Sequence, residues 1–167
     1  MKYYLCLGAN MEEPKQQIEN AIQLISSEAN ISLLRKSSLI VSKPYGVTEQ
    51  ADFYNQVIEI SSSLPPRELL CRLLSIETSI GRIRRTKWGA RLIDIDILLA
   101  ENTVLDTTKA CSEEQLALPE LIIPHPDFHN RLFALQLLNE LIPEMLHPTM
   151  QKSISELYYQ LSNGGKP

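Results

Sequence analysis

Between Leu92 and Leu99 every residue is leucine or isoleucine except Asp94 and Asp96. So dense an aliphatic, β-branched run predicts a buried strand. Side chains alternate across a strand, which puts the two aspartates on one face and Ile93, Ile95 and Ile97 on the other. Two carboxylates roughly 7 Å apart on one strand face repel each other unless a cation sits over them. Burying both unpaired would cost several kcal/mol.

A divalent metal answers this most economically. Two hard oxygen ligands suit Mg²⁺, which commonly takes one or two protein carboxylates and completes its shell with phosphate oxygens. An isolated Asp-x-Asp is more often the wet face of a half-exposed strand. The residues just upstream shift that balance. Arg82, Arg84, Arg85, Lys87 and Arg91 place five cations within ten positions before the anionic pair. Metal plus phosphate accounts for both signs at once.

The stretch Trp88-Gly89-Ala90-Arg91, continued by Asp94-Ile95-Asp96-Ile97-Leu98, closely resembles the signature of the 6-hydroxymethyl-7,8-dihydropterin pyrophosphokinase family. Residues 124–131, Pro-His-Pro-Asp-Phe-His-Asn-Arg, resemble a second motif of that family, and the likeness runs from Tyr3 to Tyr159. It implies an ATP-dependent diphosphotransferase of folate biosynthesis that acts on 6-hydroxymethyl-7,8-dihydropterin and releases AMP. It further implies two Mg²⁺ ions on Asp94 and Asp96, and transition-state roles for Arg82 and Arg91. Arg84 and Trp88 would ride a loop that closes over both substrates. His125 and Arg131 would grip the ATP phosphates, with Ile97 near the adenine and Glu77 near the pterin-side helix. Phe53 and Phe133 would sandwich the pterin, Asn55 would read its edge, and Ser42 and Tyr45 would offer main-chain contacts. The chain departs from the pattern in an excursion over 107–117, longer than in compact members, and at four single residues. Ala9 replaces a serine, Leu74 a glutamine, Phe53 a tyrosine and, relative to some members, Pro126 a tyrosine.

The residues themselves can be weighed beside that resemblance. A pterin is flat and edged with donors and acceptors, so its site needs apolar faces and an amide or main-chain groups. Asn55 supplies a donor and an acceptor from one side chain, and Phe53, two positions earlier, shares its strand face. Taken alone, Phe53 and Phe133 read as plain core. A buried asparagine is harder to dismiss, because it demands partners. Guanidinium forks at Arg82, Arg84 and Arg91 suit a reaction driven by positioning and charge stabilisation. Lone surface arginines are usually only solvated, but three flanking a glycine-hinged tryptophan loop suit a lid.

Composition narrows the class. With 44% hydrophobic and 22% charged residues, the chain reads as a soluble globular protein. Its net charge of −4 argues against a general nucleic-acid binder. No apolar run reaches membrane-spanning length. Cys6, Cys71 and Cys111 are odd in number and widely spaced, so no disulfide framework or CxxC metal pattern is expected. Cys6 and Cys71 read as small core residues and Cys111 as a loop residue, all reduced in a cytoplasm. The expected working unit is a cytoplasmic monomer.

Residues 3–7 predict a first strand ending in Gly8-Ala9-Asn10, whose composition marks a turn. Pro14 then opens a helix with Ile18, Ala21, Ile22 and Ile25 on one stripe. No GxGxxG or P-loop pattern follows the strand, so phosphate chemistry must lie elsewhere. Strands are expected over 31–41, interrupted at 35–38, and over 53–60, separated by a long loop over 42–52. Pro65 and Pro66 start a second helix with Leu69, Leu70, Leu73, Leu74, Ile76 and Ile80 inward, and Gly81 ends it. Residues 102–108 are expected as an edge strand, 107–117 as a surface excursion, and 121–126 as extended chain between prolines. Helices follow over 131–141 and 153–161. The expected fold is α+β: a ferredoxin-like-derived sandwich, mainly antiparallel, with helices on both faces of the sheet. Residues 1–161 form one domain and 162–167 a frayed tail.

Two rival readings stand beside the diphosphotransferase. A metal-dependent glycosyl or nucleotidyl transferase could also use Asp-x-Asp, but would leave Phe53 and Asn55 idle. A nucleotide- or pterin-binding module without activity would be expected to lack an aspartate or Arg82, and all are present.

Overall fold

A computed structural model describes residues 1–44, 49–81, 90–108 and 117–164. Its centre is β1 (Lys2–Ala9), an eight-residue strand buried at every position after Lys2. A strand covered on both faces reads as continuous hydrophobicity rather than alternation, which Tyr3-Tyr4-Leu5-Cys6-Leu7 provides.

Along the chain, α1 (Pro14–Ser27), β2 (Ile31–Lys36), β3 (Ile40–Ser42), β4 (Phe53–Ser62), α2 (Pro66–Ile80) and β5 (Asp94–Ala100) follow β1. The main sheet runs β2-β4-β1-β5, with β3 also on β4. Each pairing is antiparallel. Taking β2 and β3 as one interrupted strand gives βαββαβ with β1 and β4 inside, the split βαβ of ferredoxin-like folds. The expected architecture is the one observed.

Alternation assigns the two faces. Tyr3, Leu5, Leu7 and Ala9 meet Ile58, Ile60, Ile95 and Ile97 in a core closed by Ile18, Ala21, Ile22 and Ile25 of α1 and Leu69, Leu73 and Ile76 of α2. The stripe predicted for α1 is the stripe it buries. On α2, Leu69, Leu73, Ile76 and Glu77 are the buried positions, while Leu70, Leu74 and Ile80 are half-buried. Gly81 ends that helix at φ 104°, a left-handed conformation that disfavours a side chain.

The opposite face carries Tyr4, Cys6 and Val57 under α3 (Leu132–Leu141), which packs on α4 (Ile154–Ser162). Ser153 starts α4 with a capping box to Glu156. These helices cover only one end of the face. The other end, with Gly8, Phe53, Asn55, Asp94 and Asp96, stays open to a cleft. That uncovered half-face makes the fold able to hold ligands.

Four local expectations shift. The turn expected at Gly8-Ala9-Asn10 does not form there, because β1 continues through Ala9 and Gly8 pairs with a strand on each side. The aspartate strand begins at Asp94 rather than Leu92. Instead of an edge strand over 102–108, only β6 (Leu105–Asp106) forms, pairing with β7 (Ile122–Ile123) in a separate small sheet. Asn102 takes φ 52° and turns the chain away from the main sheet. Cys71 is half-buried on α2, whereas Cys6 is core as expected. Cys111 and most of the 107–117 excursion lie outside the described residues. No described helix is long and apolar enough to cross a membrane.

Candidate active site

The cleft has a cavity volume of about 240 Å³. Its floor is β1. Gly8 pairs with Asn55 of β4 on one side and Asp94 of β5 on the other, and Cys6 pairs with Val57 and Asp96. A bulge at Tyr4/Leu5 resets the β1–β5 register only beyond this point, so Asp94 and Asp96 keep the facing that alternation predicts. Burial raises the Cys6 thiol to about 12, with the Asp96 charge adding to it. Cys6 therefore serves as an uncharged floor.

One wall of the cleft is apolar and carries an amide. Asn55 is 3% exposed. Its Nδ2 donates to Ser42 Oγ at 2.9 Å and to the Phe53 carbonyl at 3.2 Å. Ser42 thus orients the amide with its hydroxyl, a role the sequence did not reveal. Phe53 and Phe133, from β4 and α3, both line this cleft with half-buried rings.

The opposite wall is charged. Asp94 pairs with Arg91, and Asp96 lies 4.0 Å from Arg131. The repulsion expected between the carboxylates is therefore relieved by guanidinium groups from two different segments. A metal is not the sole cation that can sit over the pair. Arg131 is itself steered by Asp127, which accepts from its Nε at 3.1 Å. Burial would raise the Asp127 carboxyl, but hydrogen bonds from Asn130 and Arg131 outweigh that and hold it below its usual value. His125 docks on the edge of β5 through its backbone N–H to the Leu98 carbonyl at 2.8 Å, and its Nδ1 accepts from the Asp127 N–H at 3.2 Å. Burial lowers its pKa and Arg131 reinforces this, against the opposing charges of Asp96 and Asp127.

A second cleft, about 350 Å³, opens on the other side of the same aspartates. Leu70 and Leu74 of α2, Ile97 of β5 and Leu121 give it an apolar lining, and Glu77 contributes a buried carboxylate. Asp94, Asp96 and His125 border both clefts. The carboxylates stand at the seam between the two clefts. Among the described residues, no group of three His, Cys, Asp or Glu side chains forms a metal cage.

Of the residues singled out from sequence, Ser42, Phe53, Asn55, Arg91, Asp94, Asp96, His125, Arg131 and Phe133 come together around the first cleft, and Ile97 lies in the second. Tyr45, Arg82, Arg84 and Trp88 lie outside the described residues. Sequence reasoning missed Gly8 as part of the floor. The signal was available: Cys6 and Gly8 alternate onto one face of β1, opposite the aspartates.

Residues 4–143 match the family model of 7,8-dihydro-6-hydroxymethylpterin-pyrophosphokinase. The chain is 36% identical over 160 residues to the 2-amino-4-hydroxy-6-hydroxymethyldihydropteridine pyrophosphokinase of Haemophilus influenzae, covering 96% of this chain and 92% of that protein. It is 34% identical over 142 residues to the protein of the same name from Bacillus subtilis, covering 85% and 78%. Among solved structures, Plasmodium falciparum HPPK-DHPS wild type with pterin and p-hydroxybenzoate shares the fold at a TM-score of 0.74 and 16% identity. That alignment covers 98% of this chain and 43% of the larger one. The chain belongs to the 7,8-dihydro-6-hydroxymethylpterin-pyrophosphokinase family.

Proposed function

We propose that this protein transfers diphosphate from ATP to the hydroxymethyl group of 6-hydroxymethyl-7,8-dihydropterin, releasing AMP, as a step of folate biosynthesis. The observation that carries this reading is the position of Asp94 and Asp96 at the seam of two clefts, one holding the Asn55 amide with Phe53 and Phe133, the other lined in part by Leu70, Leu74 and Ile97. In-line transfer between two bound substrates needs such a seam, because the reacting groups must meet over the charge-stabilising residues.

The pterin occupies the first cleft, stacked between Phe53 and Phe133 with Asn55 on its edge, and Ser42 and Tyr45 complete that side. The adenosine lies in the second cleft near Ile97, where Leu74 offers an apolar contact. The hydroxymethyl oxygen attacks the β-phosphorus, the bond from that phosphorus to the α-phosphate oxygen breaks, AMP leaves, and the hydroxyl proton passes to solvent. Asp94 and Asp96 fit a hard divalent cation. Both are oxygen donors on one strand face and border the cleft where phosphate would lie. Two Mg²⁺ held there would neutralise phosphate charge and acidify the attacking hydroxyl.

Arg91 and Arg131 already face these carboxylates. A polyphosphate gives their forks a new bidentate partner, which frees the aspartates for metal. Arg82 joins Arg91 in stabilising the transition state, and Arg84 and Trp88 close over the substrates. His125 and Arg131 orient the phosphates. The domain spans residues 1–161 and works as a monomer in the cytoplasm, where the free thiol of Cys6 suits a reducing compartment.

The deciding experiment follows AMP release from ATP with and without the pterin. Pterin-dependent AMP formation with one pterin diphosphate per AMP is expected. AMP or ADP formed independently of the pterin would overturn the reading.

A further inference from the structure

We propose that Asp127 is a positioning residue whose carboxylate holds Arg131 off Asp96 and so keeps Asp96 open to a divalent cation; this rests on the functional reading above. The two aspartates meet their arginines differently. Arg91 closes directly on Asp94, whereas Arg131 Nη1 stands 4.0 Å from Asp96 Oδ2, at the outer limit of an ion pair. The same guanidinium donates from Nε to Asp127 Oδ2 at 3.1 Å. Arg131 therefore lies between two carboxylates, and its hydrogen bond goes to the one that metal chemistry does not need.

Asp127 opens the 3-10 turn Phe128–Asn130, a place where an aspartate ordinarily accepts a backbone N–H of the turn, yet it makes no such cap. Its carboxylate is committed to side chains instead. Oδ1 accepts from Asn130 Nδ2 at 3.1 Å, and Oδ2 accepts from Arg131. The turn is a fixed base for this, because Phe128 is fully buried and the Arg131 N–H donates to the Phe128 carbonyl at 3.0 Å. A guanidinium held by Nε can still turn its Nη edge toward phosphate. Released from Asp127, it needs to move only about 1 Å to form a close pair with Asp96. That pair would compete with a metal for the same carboxylate oxygen. Asp127 thus acts on the metal through Arg131 and not by touching it.

The test follows Mn²⁺ binding by electron paramagnetic resonance in the presence of saturating α,β-methylene-ATP, corrected for Mn²⁺ held by free nucleotide. It compares the wild type, Asp127→Asn, Arg131→Ala and the double variant. Asp127→Asn keeps an oxygen for Asn130, but its Nδ2 cannot accept from Arg131. Asp127→Ala supplies the same comparison if Asp127→Asn shows no cooperative melting. Asp127→Asn should weaken Mn²⁺ binding about fivefold, and the same change in the Arg131→Ala background should alter it by less than about twofold. Raising Mg²⁺ should return most of the turnover lost in Asp127→Asn, which a merely structural defect would not allow. A loss of metal affinity that persists without Arg131 would make the Asp127 charge itself the cause and overturn the inference. Unchanged Mn²⁺ affinity in Asp127→Asn, or a turnover defect that excess Mg²⁺ leaves in place, would overturn it too, with the functional reading still standing. A wild type that binds no Mn²⁺ beyond that held by nucleotide would refute the metal reading of Asp94 and Asp96 and the inference with it.

Discussion

Gly8 and Asn55 face each other across the β1–β4 ladder so closely that a Cβ on Gly8 would lie 3.2 Å from Asn55 Oδ1. The same atom would meet the Phe53 ring at 3.9 Å. Asn55 has little room to retreat, because its Nδ2 is tied to Ser42 and to the Phe53 carbonyl. A glycine at this point lets the amide and the ring share the floor of one cleft.

Gly8→Ala should therefore weaken pterin binding while leaving the fold intact. A tilt of the Asn55 amide would lose about tenfold in affinity, equivalent to about 1.4 kcal/mol. Calorimetric titration with the pterin checks this, with nucleotide affinity as the internal control. Equal losses for both ligands would point instead to a general disturbance of β1.

Much of this arrangement is legible in the sequence. Alternation alone put Asp94 and Asp96 together and Phe53 with Asn55, and helical period alone assigned the buried stripe of α1. What could not be read depends on contacts without a period. The guanidinium of Arg131 reaches Asp96 from 35 residues away in the chain, and the Asn10 side chain accepts the Arg91 N–H across 81 positions. Cys71 misled because burial on α2 depends on which side of a helix faces the sheet, not on residue type. The strand expected at 102–108 shrank to two residues because the backbone at Asn102 turns it off the main sheet.

His147 should make the protein acid-sensitive well above the carboxylate range. It is 3% exposed and stacks on Phe128 with centroids 5.1 Å apart. Burial, aided by the charge of His129, lowers its pKa from 6.5 to about 4. Between those values the unfolded chain takes up a proton that the folded one refuses. Stability is thus complete above pH 6.5 and declines as pH falls toward 4, by roughly 3 kcal/mol at most. His147 Nδ1 accepts the Met150 N–H at 3.3 Å, so His147→Asn keeps an acceptor and removes the titration. Urea unfolding at pH 7.5 and 5 should show a smaller pH difference in the variant; an unchanged difference would clear His147 of the effect.

Glu77 holds the backbone between the two aspartates. Its Oε1 accepts the Ile95 N–H at 2.7 Å from a position only 2% exposed. Glu77→Ala leaves that N–H buried without this acceptor, at about 1–3 kcal/mol, whereas Glu77→Gln keeps the oxygen and should fall within about 1 kcal/mol of wild type. Urea unfolding distinguishes them. Equal destabilisation by both would show that the charge of Glu77, not its acceptor, is what matters.

The aspartates' existing partners lead to the last prediction. Asp94 is paired with Arg91, and Asp96 faces Arg131 at 4.0 Å. A divalent cation arriving alone must displace guanidinium groups already held at these carboxylates. Arriving with a triphosphate, it finds them drawn to phosphate oxygens instead. Mn²⁺ followed by electron paramagnetic resonance should therefore bind the protein alone at least about tenfold more weakly than it binds the complex with α,β-methylene-ATP, after correction for Mn²⁺ held by the free nucleotide. Asp96→Ala should lose that gain and abolish turnover, while its thermal midpoint stays close to that of the wild type. Mn²⁺ affinity that is equal with and without nucleotide would contradict the exchange of partners, and near-wild-type turnover in Asp96→Ala would remove the metal from Asp96 altogether.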